Sequence, residues 1–212
     1  MGFHLEYRYQ PGEALRYRLS VHMLVEAPGE APAAGTAEIE VTQDVLAAHN
    51  DGSWTVEYRS RATQAEGILE GGLPAELLDR VVILRMNPQG ALLDTGEGPP
   101  PVRVPAFPAE ALEVGASWKV TDATDMEVTS VVGGVEDDVA SIVSTASSGN
   151  DEDGSATVIE ATLTFSLQEG CQLASTTVIE TLWPNGRKMS LLLENELLER
   201  GASQATEIGQ VG

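Results

Sequence analysis

Chemistry in this 212-residue chain would have to come from a short list of side chains: three histidines, one cysteine and a large excess of carboxylates. His4, His22 and His49 form neither a His-x-His pair nor a helical pair. A metal site needs converging ligands, so the three are read as surface residues. Cys171 is alone, so no disulfide can form within the chain, and its mid-chain position rules out an amino-terminal lipid attachment. A thiol nucleophile needs a base beside it, and only three histidines could supply one, so Cys171 reads as a structural thiol. Asn150, Asp151, Glu152, Asp153 and Gly154, with Glu160, match part of a calcium loop, in which alternate carboxylates precede a glycine and a glutamate closes the site. The first ligand position falls on Gly149, which has no side chain, and no helix is expected on either flank. This is read as a solvated hairpin turn. Asp137 with Asp138, and Glu194 with Glu196, are carboxylate pairs on water-facing strand positions, whereas acid–base catalysis needs two carboxyls across a cleft, one of them desolvated. Neither a phosphate-binding glycine loop nor a Gly-x-Ser-x-Gly elbow is present. These residues assign no catalytic site, no metal and no cofactor, and an enzyme is the last of the readings.

What remains is aromatic. Tyr7, Tyr9, Tyr17, Trp54, Tyr58, Trp118 and Trp183 fall mostly on strand faces expected to point inward. They could pack a core. Alternatively, a curved sheet with few helices to fill it leaves room for an apolar ligand. On that second reading the lining residues are Tyr7, Tyr17, Trp54, Tyr58, Trp118, Phe165 and Trp183.

The elements that would position them are strands. Residues 3–9 alternate, with Phe3, Leu5, Tyr7 and Tyr9 on one face, and are expected to form a first strand. Pro11 and Gly12 turn the chain. Leu15, Tyr17, Leu19, Val21, Met23 and Val25 then share a face. Ala37, Ile39 and Val41 begin the next strand. Asp51 and Gly52 turn it, and Trp54, Val56 and Tyr58 follow, with Arg59 and Arg61 set to pair with Glu38 and Glu40. Residues 74–79 could form a helical turn or two. Val81 to Met86 is a strand, turned by Asn87, Pro88, Gln89 and Gly90. In the second half, Trp118, Val120, Met126, Val128 and Val132 mark one long strand or two, and Gly133 and Gly134 are expected to turn the chain. Residues 156–167 and 172–183 alternate cleanly. Residues 188–200 could be strand or helix, and a strand is favoured because the turn at Pro184, Asn185 and Gly186 leads straight into them.

The expected fold is all-β, with about eleven antiparallel strands in a strongly curved sheet or open barrel. Residues 1–200 would form one domain of two loosely similar halves, 1–97 and 113–200, joined by a stiff proline-rich crossover over 98–112. Phe107 and Trp118 would anchor that crossover, and residues 201–212 would be a flexible tail.

Composition narrows the partners. The formal net charge is −21 and the hydrophobic content 42%. A surface this acidic repels phosphate backbones and anionic membranes, so nucleic acid is not an expected partner. No apolar run approaches the ~18 residues that would span a bilayer. The first residues do not read as a signal peptide. As it stands the sequence is read as cytoplasmic, or as extracytoplasmic if a leader has been removed. No motif encodes the oligomeric state.

Three short motifs, in order, carry a resemblance: Pro11 and Gly12 with Arg16 and Tyr17; Met86, Asn87, Pro88, Gln89 and Gly90; and Phe107 and Pro108 with Val114, Gly115, Ala116, Ser117 and Trp118. The layout resembles bacterial β-rich families similar in fold to the LolA/LppX lipoprotein carriers. The resemblance implies an open antiparallel barrel around an apolar cavity, and hence a non-enzymatic protein that binds an apolar small molecule or lipid. It carries over no catalytic residue. The alternative is an interaction module that uses acidic faces and sheet edges.

Overall fold

The computed structural model describes residues 2–70, 80–94, 104–121, 126–149 and 153–203. In chain order the strands are β1 (Glu13–Glu26), β2 (Ala33–Ala48), β3 (Trp54–Gly67), β4 (Arg80–Met86), β5 (Leu92–Asp94), β6 (Ser117–Thr121), β7 (Glu127–Glu136), β8 (Val139–Gly149), β9 (Ala156–Ser166), β10 (Cys171–Leu182) and β11 (Lys188–Ala202). All eleven lie in one sheet, ordered β5-β4-β3-β2-β1-β11-β10-β9-β8-β7-β6, and every neighbouring pair is antiparallel. The sheet is curved and does not close, because β5 and β6 are edges that do not pair with each other. No helix occurs among the described residues, and so none is long and apolar enough to cross a membrane.

The order has a simple origin. Two meanders run outward from a shared centre, where β1 pairs with β11 over nearly their whole length, from Glu13 opposite Ala202 to Glu26 opposite Lys188. The link between the meanders leads from one edge strand to the other. Residues 188–202 are strand, as the turn before them demands. Leu191, Leu193 and Leu197 face inward, with Val21 opposite Leu193 and Met23 opposite Leu191, whereas Leu192 and Leu198 lie on the outer side.

The sheet's inner face carries the core. Leu15, Tyr17, Leu19 and Val21 of β1 are all buried, while Arg16 and Arg18 between them and His22 after them are exposed. The convex face holds ion pairs such as Arg18 with Glu196 and Lys188 with Glu180. These pairs lie in water and contribute little stability.

Two local expectations are corrected. Residues 3–9 do not form a strand; among the described residues their only ladder contact is an isolated bridge between Phe3 and Leu112. The alternation still marks which side chains are buried, since Leu5, Tyr7 and Tyr9 all are. However, the segment's amides bond to turns: Tyr7 N–H donates to the Pro88 carbonyl (2.7 Å) and Arg8 N–H to the Gly170 carbonyl (2.9 Å). Gly133 and Gly134 do not turn the chain either. They lie inside β7 at a register shift, as glycine in a strand interior often does. The turn comes at Asp137 and Asp138, whose φ values of 47° and 62° are ones aspartate tolerates better than most residues. Three expectations fall outside the described residues: the helical turns at 74–79, the crossover's first part (98–103), and the acidic loop at 150–152. Strand β11 runs on through Ala202, and residues 204–212 also lie outside the described set.

Candidate functional site

The curved sheet is filled differently at its two ends. At one end lie the turns β2–β3, β4–β5, β7–β8 and β9–β10, together with the start of β1 and the end of β11. Residues 2–10 and residues 104–116, which include the described part of the crossover, pack across this end. Phe107 N–H donates to the Gln89 carbonyl (2.7 Å), Phe3 and Leu112 exchange two backbone bonds (2.9 and 2.7 Å), and Gly115 N–H reaches the Val132 carbonyl (2.8 Å). Their rings reach both arms of the sheet: Tyr9 meets Trp54 of β3 (5.4 Å between centroids), and Tyr7 and Phe107 meet Phe165 of β9 (5.3 and 5.1 Å). Each such ring, once buried, contributes roughly 1.5–3 kcal/mol. Arg200 clamps the junction. It bonds to the Glu13 carboxylate and donates to the carbonyls of Glu169 (2.6 Å) and Arg8 (2.7 Å).

Toward the opposite end, among the described residues, Leu69 after β3 reaches the core but the rest of the inner face lacks this covering. Met23 of β1 lies opposite Leu191 of β11, Leu191 opposite Ile179 of β10, Ile179 opposite Ile159 of β9, and Ile159 opposite Ala146 of β8. Cross-strand partners share a face, so these five residues form a continuous inward apolar row. All but Ala146 are only half-buried. One inward step along the strands, Val21, Leu193, Thr177, Ala161 and Ser144 form a second row.

Between the packed end and this open face lies a polar pocket. All four tyrosines of the chain, Tyr7, Tyr9, Tyr17 and Tyr58, converge on it with Gln43, Gln172, Asn195 and Val104. Its volume is about 10 Å³, room for about one water molecule. Burial pushes the pKa of Tyr7, Tyr17 and Tyr58 well above the ordinary tyrosine value. Burial also raises Tyr9, and the nearby Gln43 amide offsets this only in part. The pocket is therefore polar but uncharged. Gln43 and Asn195 are 2% and 6% exposed, yet Gln43 Nε2 and Asn195 Oδ1 make no hydrogen bond of good geometry.

Of the seven aromatic residues singled out in the sequence, six come together. Tyr7, Tyr17 and Tyr58 line the pocket, and Trp54 and Phe165 are buried against it through Tyr9 and Tyr7. Trp118 is half-buried behind Phe107 (6.4 Å), its Nε1 donating to the Ala106 carbonyl at 3.2 Å. Trp183 lies at the other end of the sheet. It bridges two hairpin turns by donating to Asp153 Oδ2 (3.2 Å), beneath the Arg187 guanidinium. Hydrogen bonds from the Ser155 side chain and amide, and to a lesser extent that from Trp183, lower the Asp153 pKa. The residues missed were Gln43 and Asn195. Each interrupts an inward apolar run, Ile39-Val41-Gln43-Val45 and Leu191-Leu193-Asn195-Leu197, and a polar residue in such a run is the signal that could have found them.

The residues with potential chemistry do not converge. Cys171 is buried, and burial pushes its thiol pKa up despite the Arg200 guanidinium nearby. His22 reaches Glu194 (3.7 Å), and His49 bonds to the Thr55 hydroxyl (2.8 Å). Among the described residues no three of histidine, cysteine, aspartate and glutamate are grouped to hold a metal.

No family model matches the chain, and no curated protein matches it. Among solved structures it is similar to one described as lipid–protein interactions in lipovitellin, with a TM-score of 0.60 and 12% identity over 95% of this chain. The two share a fold. The chain spans only 27% of the length of that lipovitellin chain. The resemblance to LolA-type carriers also recurs, in the crystal structure of a LolA-superfamily protein from Nitrosomonas europaea. That match covers 87% of this chain and 86% of the other at 11% identity, but its TM-score of 0.23 is too loose a superposition to carry weight.

Proposed function

We propose that the protein binds one apolar or amphipathic molecule along the open inner face of its sheet, without catalysis. One observation carries the reading: the row Met23, Leu191, Ile179 and Ile159 is continuous, apolar and inward-facing, yet each residue keeps part of its surface in water. Nearer the packed end, residues 2–10 and the crossover cover most of the inner apolar residues, and Leu69 after β3 joins the same core. Among the described residues this row is only part-covered, which forgoes roughly 25 cal/mol for each Å² left in water, and a ligand would recover it. The fold shared with a protein whose structure is described by its lipid interactions supports the same reading.

A neutral probe suits a chain of charge −21. N-phenyl-1-naphthylamine is expected to gain fluorescence and saturate at one molecule per chain. Ile179→Glu puts a charge in the middle of the row at a half-exposed position, so the fold should survive, as circular dichroism would verify. The dye's affinity should fall at least tenfold, because a carboxylate cannot be buried there unpaired. Absence of dye uptake by the native protein would sink the proposal.

A second reading has its own observation. Val81 and Ile83 of β4 and Leu93 of the edge strand β5 are 51%, 48% and 52% exposed beside an open sheet edge. Such a patch suits a protein contact. On that reading Ile83→Asp would convert an associating species to monomer in sedimentation velocity. A native protein that is monomeric throughout would dismiss it.

A further inference from the structure

Building on the inner-face reading above, we propose that the ligand is neutral and ends in a hydroxyl, which docks in the tyrosine-lined pocket between Gln43 and Asn195. The two amides present opposite needs. Gln43 Nε2 is a donor and Asn195 Oδ1 an acceptor, each at least nine-tenths buried; Asn195 Oδ1 has no partner, and the Gln43 amide has only a loose contact with the Tyr9 side chain. A single group that serves both must donate and accept at once. A hydroxyl does so; an ammonium only donates and a carboxylate only accepts.

Charge points the same way. No charged side chain lines the pocket. An anionic or cationic head would be buried there with no counter-charge, at a cost that far exceeds one hydrogen bond. Size agrees as well, since about 10 Å³ admits a hydroxyl but not a phosphate or a sugar. The placement joins the pocket to the apolar rows. Asn195 lies on the same inward face of β11 as Leu193 and Leu191 and just beyond them, opposite Leu19 of β1 and Ser175 of β10. From Leu191 to Asn195 is about 14 Å along the strand. An alkyl chain of medium length lying on the rows therefore brings its end to the amides.

The test displaces N-phenyl-1-naphthylamine with three molecules that share a ten-carbon chain: 1-decanol, decanoate and decyltrimethylammonium. Decanol is expected to displace the dye at a concentration at least tenfold lower than either ion. In Asn195→Leu the preference for decanol should shrink about tenfold while thermal stability rises, because an unpartnered buried carbonyl has been removed. Gln43→Leu, on a different strand, should shrink it likewise, and the native head-group comparison needs no variant. Dye binding with equal displacement by all three molecules overturns the hydroxyl inference and leaves the inner-face reading standing. An unchanged preference in both variants also overturns it and assigns the pocket to a structural water. No dye binding at all overturns both.

Discussion

The residues that set this chain apart are its tyrosines, all four of which line one uncharged pocket. Burial raises each of their pKa values, so the folded protein holds its phenolic protons where an unfolded chain gives them up. A free tyrosine titrates near pH ~10. Below that pH both states are protonated and the contribution to stability is whole. Above it the unfolded state binds fewer protons, so stability falls as pH rises toward the folded values. The expected outcome is an alkaline absorbance titration with no phenolate signal until the protein unfolds, after which all four tyrosines ionise in one cooperative step. Gradual ionisation of even one tyrosine in the folded protein, with the far-ultraviolet circular dichroism intact, would contradict the burial described here. At this scale the sequence was legible for apolar side chains and poor for polar ones. Alternation places Tyr17 and Tyr58 inside without knowledge of their neighbours. Gln43 and Asn195 follow the same alternation, but a polar inward residue reads as a fault in the pattern until the register brings the two together.

At the scale of elements, strands were legible wherever alternation ran between turn residues, as in β1, β2, β9 and β10. Two kinds of element were not. The segment 2–10 has a strand's alternation but no strand to pair with, because its neighbours are hairpin turns. Periodicity reports burial of alternate side chains, and it is blind to where the backbone bonds go. The turn at Asp137 and Asp138 was hidden because two glycines a few residues earlier offered a better local signal. The docking of the crossover's described part was not legible either. That docking centres on Gly90, at φ +82°, where an added Cβ would lie 2.2 Å from the Pro105 carbonyl oxygen and 2.7 Å from the Tyr7 ring. Gly12 has nearly the same φ, +80°, with nothing within 4 Å of the corresponding position. Gly12→Ala should therefore cost only the conformational penalty, about 1–2 kcal/mol. Gly90→Ala adds the displacement of the crossover and should cost roughly 3–5 kcal/mol in urea unfolding. Equal losses in the two variants would mean that the crossover does not press on the β4–β5 turn.

The described residues form an open, curved, eleven-stranded sheet in which residues 2–10 and the crossover fill one end of the concavity, while at the other end only Leu69 reaches the core. Both meanders are laid down in the same sense along the sheet, and each is entered through a glycine turn at positive φ, Gly12 before β1 and Gly115 before β6. The short edge strands, three and five residues long, limit pairing with other sheets. The sequence carried this architecture in its turn spacing. It could not carry the division into a packed end and an open end, which depends on two non-strand segments that cross from arm to arm. That division is the basis of the functional reading, since an inner face left open is one a ligand can cover. Native mass spectrometry of the protein mixed with 1-decanol tests it most directly. We predict a complex of one decanol per chain that is lost in Ile179→Glu; the unliganded mass alone, or a ladder of several adducts indifferent to that substitution, would contradict it.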